Sequence, residues 1–140
     1  MNRLAAEWVT MLVGVVHGGC ATTMDLESSR WRLTEVDGSP VTSTSDERAA
    51  HIVFESSPTP RVSGSTGCNR FVGSYASRRS RLTFGAIAST RMACPEAMAQ
   101  ERAFEQALQD VRRWRADDGQ LELLDEQAAV RLRFEAMQPE

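Results

Sequence analysis

At 140 residues, 41% hydrophobic and 25% charged, with a formal net charge of -3, the chain is sized for one domain with its own core. It carries no basic excess that would argue for nucleic acid as a partner. All 16 basic residues are arginine, which excludes Walker-type phosphate loops, Schiff-base catalysis and any lysine general base.

Residues 1–23 read as a targeting segment. Arg3 stands in a short leading region, and Trp8 to Val16 is an apolar run too short to span a membrane as a mature helix. The run ends at His17-Gly-Gly-Cys20, small residues before a cysteine that resemble the bacterial lipobox, in which the cysteine is lipidated and becomes the new N-terminus. His17 replaces the aliphatic residue usual there, and Glu7 sits in or just before the apolar core. Three readings stand: a lipoprotein anchored in the membrane through Cys20, an ordinary secretion signal, and a cytosolic chain with a misassigned start.

Residues 24–29 complete a polar tether that begins at Ala21, and the fold is expected over 30–136. Trp31, Leu33 and a third inward position at Glu35 or Val36 predict a strand with one buried face. Asp37-Gly38 is a turn signal, and Pro40 to Asp46 reads as loop. His51 to Glu55 is the next strand, with Ile52 and Phe54 on one face, and Ser57-Pro-Thr-Pro60 returns the chain antiparallel into Arg61-Val-Ser-Gly64. His51 alone of the mature domain's residues is a histidine. It reads as a polar edge residue, and acid-base work would need a partner held nearby.

Val62 to Tyr75 organises the chain together with Thr90 to Glu96. Gly64, Gly67 and Gly73 allow backbone shapes that a side chain forbids, and they bracket Cys68, Asn69 and Arg70. The downstream stretch supplies Cys94, then Pro95 and Glu96, which read as a helix start. Cys68 and Cys94 read as a structural disulfide closing one knot, with two reduced buried thiols, or a redox or metal role, as alternatives. Ser65, Thr66 and Asn69 crowd the bend without forming a G-x-S-x-G elbow, and they read as groups that satisfy loop backbone. Gly73 to Tyr75, a turn at Ala76 to Ser80, and Arg81 to Phe84 predict a hairpin, with Leu82, Phe84 and Ile87 inward. Arg78, Arg79 and Arg81 cluster at that turn, either as a solvated charged turn or facing anionic lipid headgroups or a partner.

A helix is expected from about Pro95 to about Arg113, with Ala97, Phe104, Leu108 and Val111 on the face that closes over a sheet. Glu101 lies on that stripe, so it forms a buried ion pair with Arg70 or Arg91, or else sits at the rim in water. The chain ends as a meander of Trp114 to Ala116, Leu121 to Leu124 and Val130 to Phe134, with turns at Asp117-Asp-Gly119 and Asp125 to Gln127. Val130, Leu132 and Phe134 face in, while Arg131 and Arg133 face out.

Trp31-Arg-Leu, the whole of Val62 to Tyr75, Leu82 to Pro95, Glu101 to Leu108, the Gly119 hairpin and a final apolar strand, in that order, resemble the META domain, the HslJ-like family of bacterial envelope proteins. The likeness covers nearly all of Ser29 to Ala136, and Gly64, Gly67, Asn69, Gly73 and Pro95 carry its motifs. It implies an α+β, mostly β fold: a small curled antiparallel sheet or partly open barrel of about seven to eight short strands with one helix packed against it. It also implies a secreted or lipid-anchored protein of the cell envelope, on the periplasmic face of the outer membrane if lipidated, linked to heat response or antibiotic tolerance. It carries over no catalytic residue. The expectation is a non-enzymatic monomer without cofactor or metal, whose rival is an accessory module holding a hydrophobic ligand, a peptide or an outer-membrane partner.

Overall fold

The computed structural model describes residues 24–41 and 49–137; the targeting segment, Cys20 and most of the loop expected after Pro40 lie outside them. Among the described residues nine strands form one antiparallel sheet: β1 (Arg30–Val36), β2 (Ser39–Pro40), β3 (His51–Glu55), β4 (Arg61–Ser65), β5 (Arg70–Arg78), β6 (Arg81–Ser89), β7 (Arg113–Asp117), β8 (Gln120–Leu124) and β9 (Val130–Ala136). The count exceeds the expected seven to eight. Two-residue β2 accounts for the difference: its Pro40 tolerates only a sheet edge. Each strand from β3 to β9 pairs with its sequence neighbour, and β9 returns to pair with β1, so the sheet curls into an irregular ring. The β6–β7 junction has one bridged pair, Arg81 with Arg113. It is flanked by the Leu82 N–H to the Arg112 carbonyl at 3.0 Å and the Trp114 N–H to the Ser80 carbonyl at 2.9 Å.

Alternation along the strands fills the ring. Trp31, Ile52, Phe54, Val62, Leu82, Leu121, Leu123, Leu132 and Phe134 are buried, each on the inward side of a period-2 pattern. In β1 the β9 register shifts between Leu33 and Glu35. A β-bulge adds one residue to the strand, so the third inward side chain is Val36, while Glu35 is left on the rim. The helix α1 (Met98–Asp110) caps the ring with Phe104, Ala107 and Leu108. The Phe104 ring lies 5.7 Å from Phe71 and 6.4 Å from Phe134, centroid to centroid, so one aromatic side chain joins the helix to both halves of the sheet. Stacking and edge contacts of this kind add about 0.5–1.5 kcal/mol to the burial itself.

Several boundaries differ from the sequence reading. The turn expected over Ala76 to Ser80 shrinks to Arg79 and Ser80, because Ala76, Ser77 and Arg78 pair with Thr83, Leu82 and Arg81, and β6 runs on past Phe84 to Ser89. The helix is shorter than Pro95 to Arg113 at both ends. Pro95 and Glu96 instead occupy a turn closed by the Ala97 N–H on the Cys94 carbonyl at 2.8 Å, a role to which the fixed φ of proline is equally suited. Val111 is already extended, with ψ of 133°, because its side chain goes into the core and the next backbone N–H joins the sheet at Leu124. At the other end, the supposed tether belongs to the fold. Leu26–Ser28 is a 3-10 turn with Leu26 buried; the Trp31 indole donates to the Leu26 carbonyl at 2.8 Å and the Tyr75 hydroxyl to Glu27 Oε1 at 2.6 Å.

Candidate functional site

The glycine-rich bend and the foot of α1 meet as expected, and Asn69 is the centre of the junction. Gly64 in β4 runs so close to β3 that a Cβ there would collide with the His51 carbonyl and crowd the Phe71 ring at 2.8 Å. Gly67 takes φ of 97°, a region open to glycine at no steric cost. With the bend so turned, the Thr66 hydroxyl accepts the Asn69 N–H at 2.9 Å, and Ser65 Oγ accepts the Gly67 N–H at 3.0 Å. The polar residues of the bend therefore serve loop backbone, as read from the sequence.

Asn69 then reaches across to the second stretch. Its Oδ1 accepts the Met92 N–H at 2.7 Å and the Thr90 hydroxyl at 2.9 Å, while Nδ2 donates to the Met92 carbonyl at 3.2 Å and to Glu101 Oε1 at 2.6 Å. All four of its amide valences are used. The Thr66 hydroxyl donates to the same Glu101 oxygen at 3.1 Å. Beside them the Cys68–Cys94 disulfide joins Cα atoms 6.1 Å apart across 26 residues of sequence. Closing such a loop restricts the unfolded chain by about 3.5 kcal/mol on the chain-entropy account.

Glu101 is 4% exposed, so it is buried as its place on the stripe implied. The expected ion pair is not formed. Among the described residues neither Arg70 nor Arg91 bridges to it, and both arginines lie at the surface. The amide of Asn69 and the hydroxyl of Thr66 supply the hydrogen bonds instead, and they do so without desolvating a second charge. Position helps as well: Glu101 is in the first turn of α1, where the helix dipole favours an anion. Its other oxygen has no protein donor among the described residues, and the residue borders a cleft of about 330 Å³ with Arg91, Met92, Met98 and Arg102.

Gly73 sits where a Cβ would press on the Ile87 side chain and on the Ala86 carbonyl at 2.9 Å, so β5 and β6 approach closely there. His51 is held by its own strand end, with Nδ1 2.9 Å from the Ala49 carbonyl and Nε2 2.9 Å from the Arg30 guanidinium. This pattern suits a neutral ring, and burial, with the nearby charges of Arg30 and Arg70, lowers its pKa. Among the described residues no serine or carboxylate is a hydrogen-bond partner of its ring. Among the described residues no group of three or more His, Cys, Asp or Glu side chains could hold a metal ion.

A second cleft, of about 530 Å³, opens at the end of the ring between the Met24 to Glu27 segment, the β5–β6 turn at Arg79 and Ser80, and Trp114 and Ala116 of β7. The Trp114 indole nitrogen faces no protein acceptor among the described residues. No sequence signal points to this cleft, because it depends on the supposed tether folding back against β7.

The META-domain family model matches residues 24–138. Among solved structures, an NMR structure is 29% identical with a TM-score of 0.62, over 79% of this chain and 91% of its own. An NMR structure of a protein from Burkholderia xenovorans is 28% identical with a TM-score of 0.63, over 81% and 85% of the two chains. The crystal structure of a DUF4847 family protein from Bacteroides vulgatus ATCC 8482 is 12% identical with a TM-score of 0.62, over 82% and 96%, and shares the fold alone. No curated protein matches the chain.

Proposed function

We propose, from the premise that this chain belongs to the META-domain family, that it is a non-enzymatic protein of the bacterial cell envelope, exported and held on the membrane through a lipidated Cys20 or secreted. It acts there as a monomer in stress response or antibiotic tolerance. The observation that carries this reading is the Cys68–Cys94 disulfide, because such cross-links persist in oxidising compartments and are rare in the reducing cytosol. The side chains that fill the ring, Trp31, Phe104 and Phe134 foremost, support a role that rests on a stable, anchored fold. Mass spectrometry of the protein from a membrane fraction tests the reading: acyl chains on an N-terminal Cys20 are expected, and an unmodified chain that retains Met1 would refute both export and anchoring.

The cleft at the ring end favours a second reading, an accessory module for a small hydrophobic ligand or an apolar peptide side chain. Met24, Leu26, Trp114 and Ala116 give it an apolar lining. Envelope extracts passed over the immobilised protein and over a Trp114→Ala variant separate the two readings. A compound retained only by the parent favours the second, and identical eluates favour the first.

A further inference from the structure

We propose that Arg78, Arg81 and Arg113 form a docking surface for the anionic headgroups of a phospholipid bilayer. The sequence places Arg78 and Arg81 on one turn, and the fold adds a third arginine from the far side of the helix. In the register of the sheet Arg78 lies opposite Arg81, and Arg81 lies opposite Arg113, so three guanidinium-bearing residues form one row across three strands. Directly opposed residues lie on the same face of a sheet. That face is the outer one, because Leu82, next to Arg81, is fully buried and all three arginines are exposed. With strands about 4.8 Å apart, the row is about 10 Å long, comparable to the screening length of physiological salt.

Like charges placed directly opposite one another destabilise a sheet, and among the described residues no other strand arginine faces a second one in the register: Arg30 lies opposite Val53, Arg61 opposite Glu55 and Ser74, and Arg70 opposite Ser65. Arg32 pairs with Glu135, Arg115 with Glu122, Arg131 with Asp37, Asp110 and Asp125, and Arg133 with Glu35 and Glu122. Among the described residues no carboxylate pairs with any of the three in the row. The charge is therefore concentrated and unneutralised, which is what an extended anionic surface complements.

The position of the row selects a bilayer over other anions. Arg79, at the tip of the turn between Arg78 and Arg81, lines the cleft that also holds Met24 to Glu27, so the row adjoins the place where the chain enters the domain. The acids there are Asp25 and Glu27, and Glu27 is engaged by the Tyr75 hydroxyl. Cys20 is four residues before Met24, a reach of at most about 14 Å. This last argument rests on the proposed lipidation; the row itself does not.

The test is flotation of the full chain carrying Cys20→Ser, which has no acyl group, with vesicles of phosphatidylcholine alone or mixed with an equal part of phosphatidylglycerol. The apolar segment at 8–16 contributes alike to both, so the ratio of the two affinities reads the headgroup charge. A basic residue near such a surface is worth about fivefold in affinity. Arg81→Gln should therefore lower the ratio about fivefold and the triple change R78Q/R81Q/R113Q about a hundredfold. A variant with the same net charge, R61Q/R91Q/R102Q, should keep most of the preference.

Equal loss in both triple variants would assign binding to overall charge and overturn the proposal, as would an absence of preference for the anionic vesicles. Full competition by millimolar inorganic phosphate would point to a small-anion site and overturn it too. Because the probe lacks the acyl group, failure of lipidation at Cys20 in cells would leave this result untouched, and the two readings fail separately.

Discussion

Glu101 is the group on which the junction between bend and helix turns, and its replacement has a calculable cost. Glu101→Ala leaves the Thr66 hydroxyl and one Asn69 N–H without their carboxylate acceptor in a site that is 4% exposed. A hydrogen bond to a charged group contributes about 1.5–3 kcal/mol. The two donors share one oxygen, and each keeps a weaker alternative, the Met92 carbonyl for Asn69 and the Asn69 carbonyl for Thr66, so their losses do not add fully. A net loss of about 3 kcal/mol follows, and for a domain of this size the melting point falls by about 10 °C. Glu101→Gln keeps an acceptor at Oε1 but removes the charge, so it should lose only about 1 kcal/mol. Urea and thermal unfolding of the oxidised protein measure both variants. A loss below about 1 kcal/mol for Glu101→Ala, or a Glu101→Gln loss equal to it, would show that the carboxylate is not what holds Asn69 and Thr66.

Three further outcomes are expected. Cys68→Ser with Cys94→Ser should lower stability by about 3.5 kcal/mol, read by denaturant unfolding; thiol labelling of the unreduced, denatured parent should find both cysteines protected. Gly64→Ala should cost about 2 kcal/mol or more, because the added methyl meets the backbone carbonyl of His51 and not the end of a pliant side chain; an unchanged melting point would mean that β3 and β4 can separate freely. The pH dependence follows from His51, whose folded pKa is lowered from 6.5 by burial above all. The unfolded chain takes up this proton first, so stability is full above about 6.5 and falls as pH drops toward the folded value. His51→Gln should flatten that part of a pH–stability profile. Asp110, held below its usual 3.8 chiefly by the Arg131 hydrogen bond, adds a separate loss only at more acidic pH.

The parts of the fold set by local pattern were legible in the residues. Leu132 to Phe134 lies as it alternates, whereas a register shift against β8 leaves Val130, expected inward, only half-buried beside Arg131; Asp117-Asp-Gly119 turns where a positive φ is needed, at 51° and 76° for Asp118 and Gly119. What was not legible depends on contacts between distant segments. A carboxylate on the apolar stripe announces that Glu101 needs a partner, but whether arginine, amide or hydroxyl provides it is decided by a bend 32 to 35 residues earlier. Leu26 in a polar segment gives no periodicity to read, and its burial depends on the Trp31 indole reaching back to it. Arg113 was assigned to the helix end. It joins Arg81 only because Val111 breaks the helix to enter the core.

One rung joins β6 to β7, and the two residues facing each other on it are both cationic. Mutual repulsion there loosens the place where the ring is thinnest, so the Leu82 and Trp114 amide protons should exchange with solvent deuterium ahead of those in the β5–β6 pairing, which has seven opposed pairs. A counter-charge laid across that rung would slow the same two protons, which makes them a built-in gauge of whatever the outer face is touching.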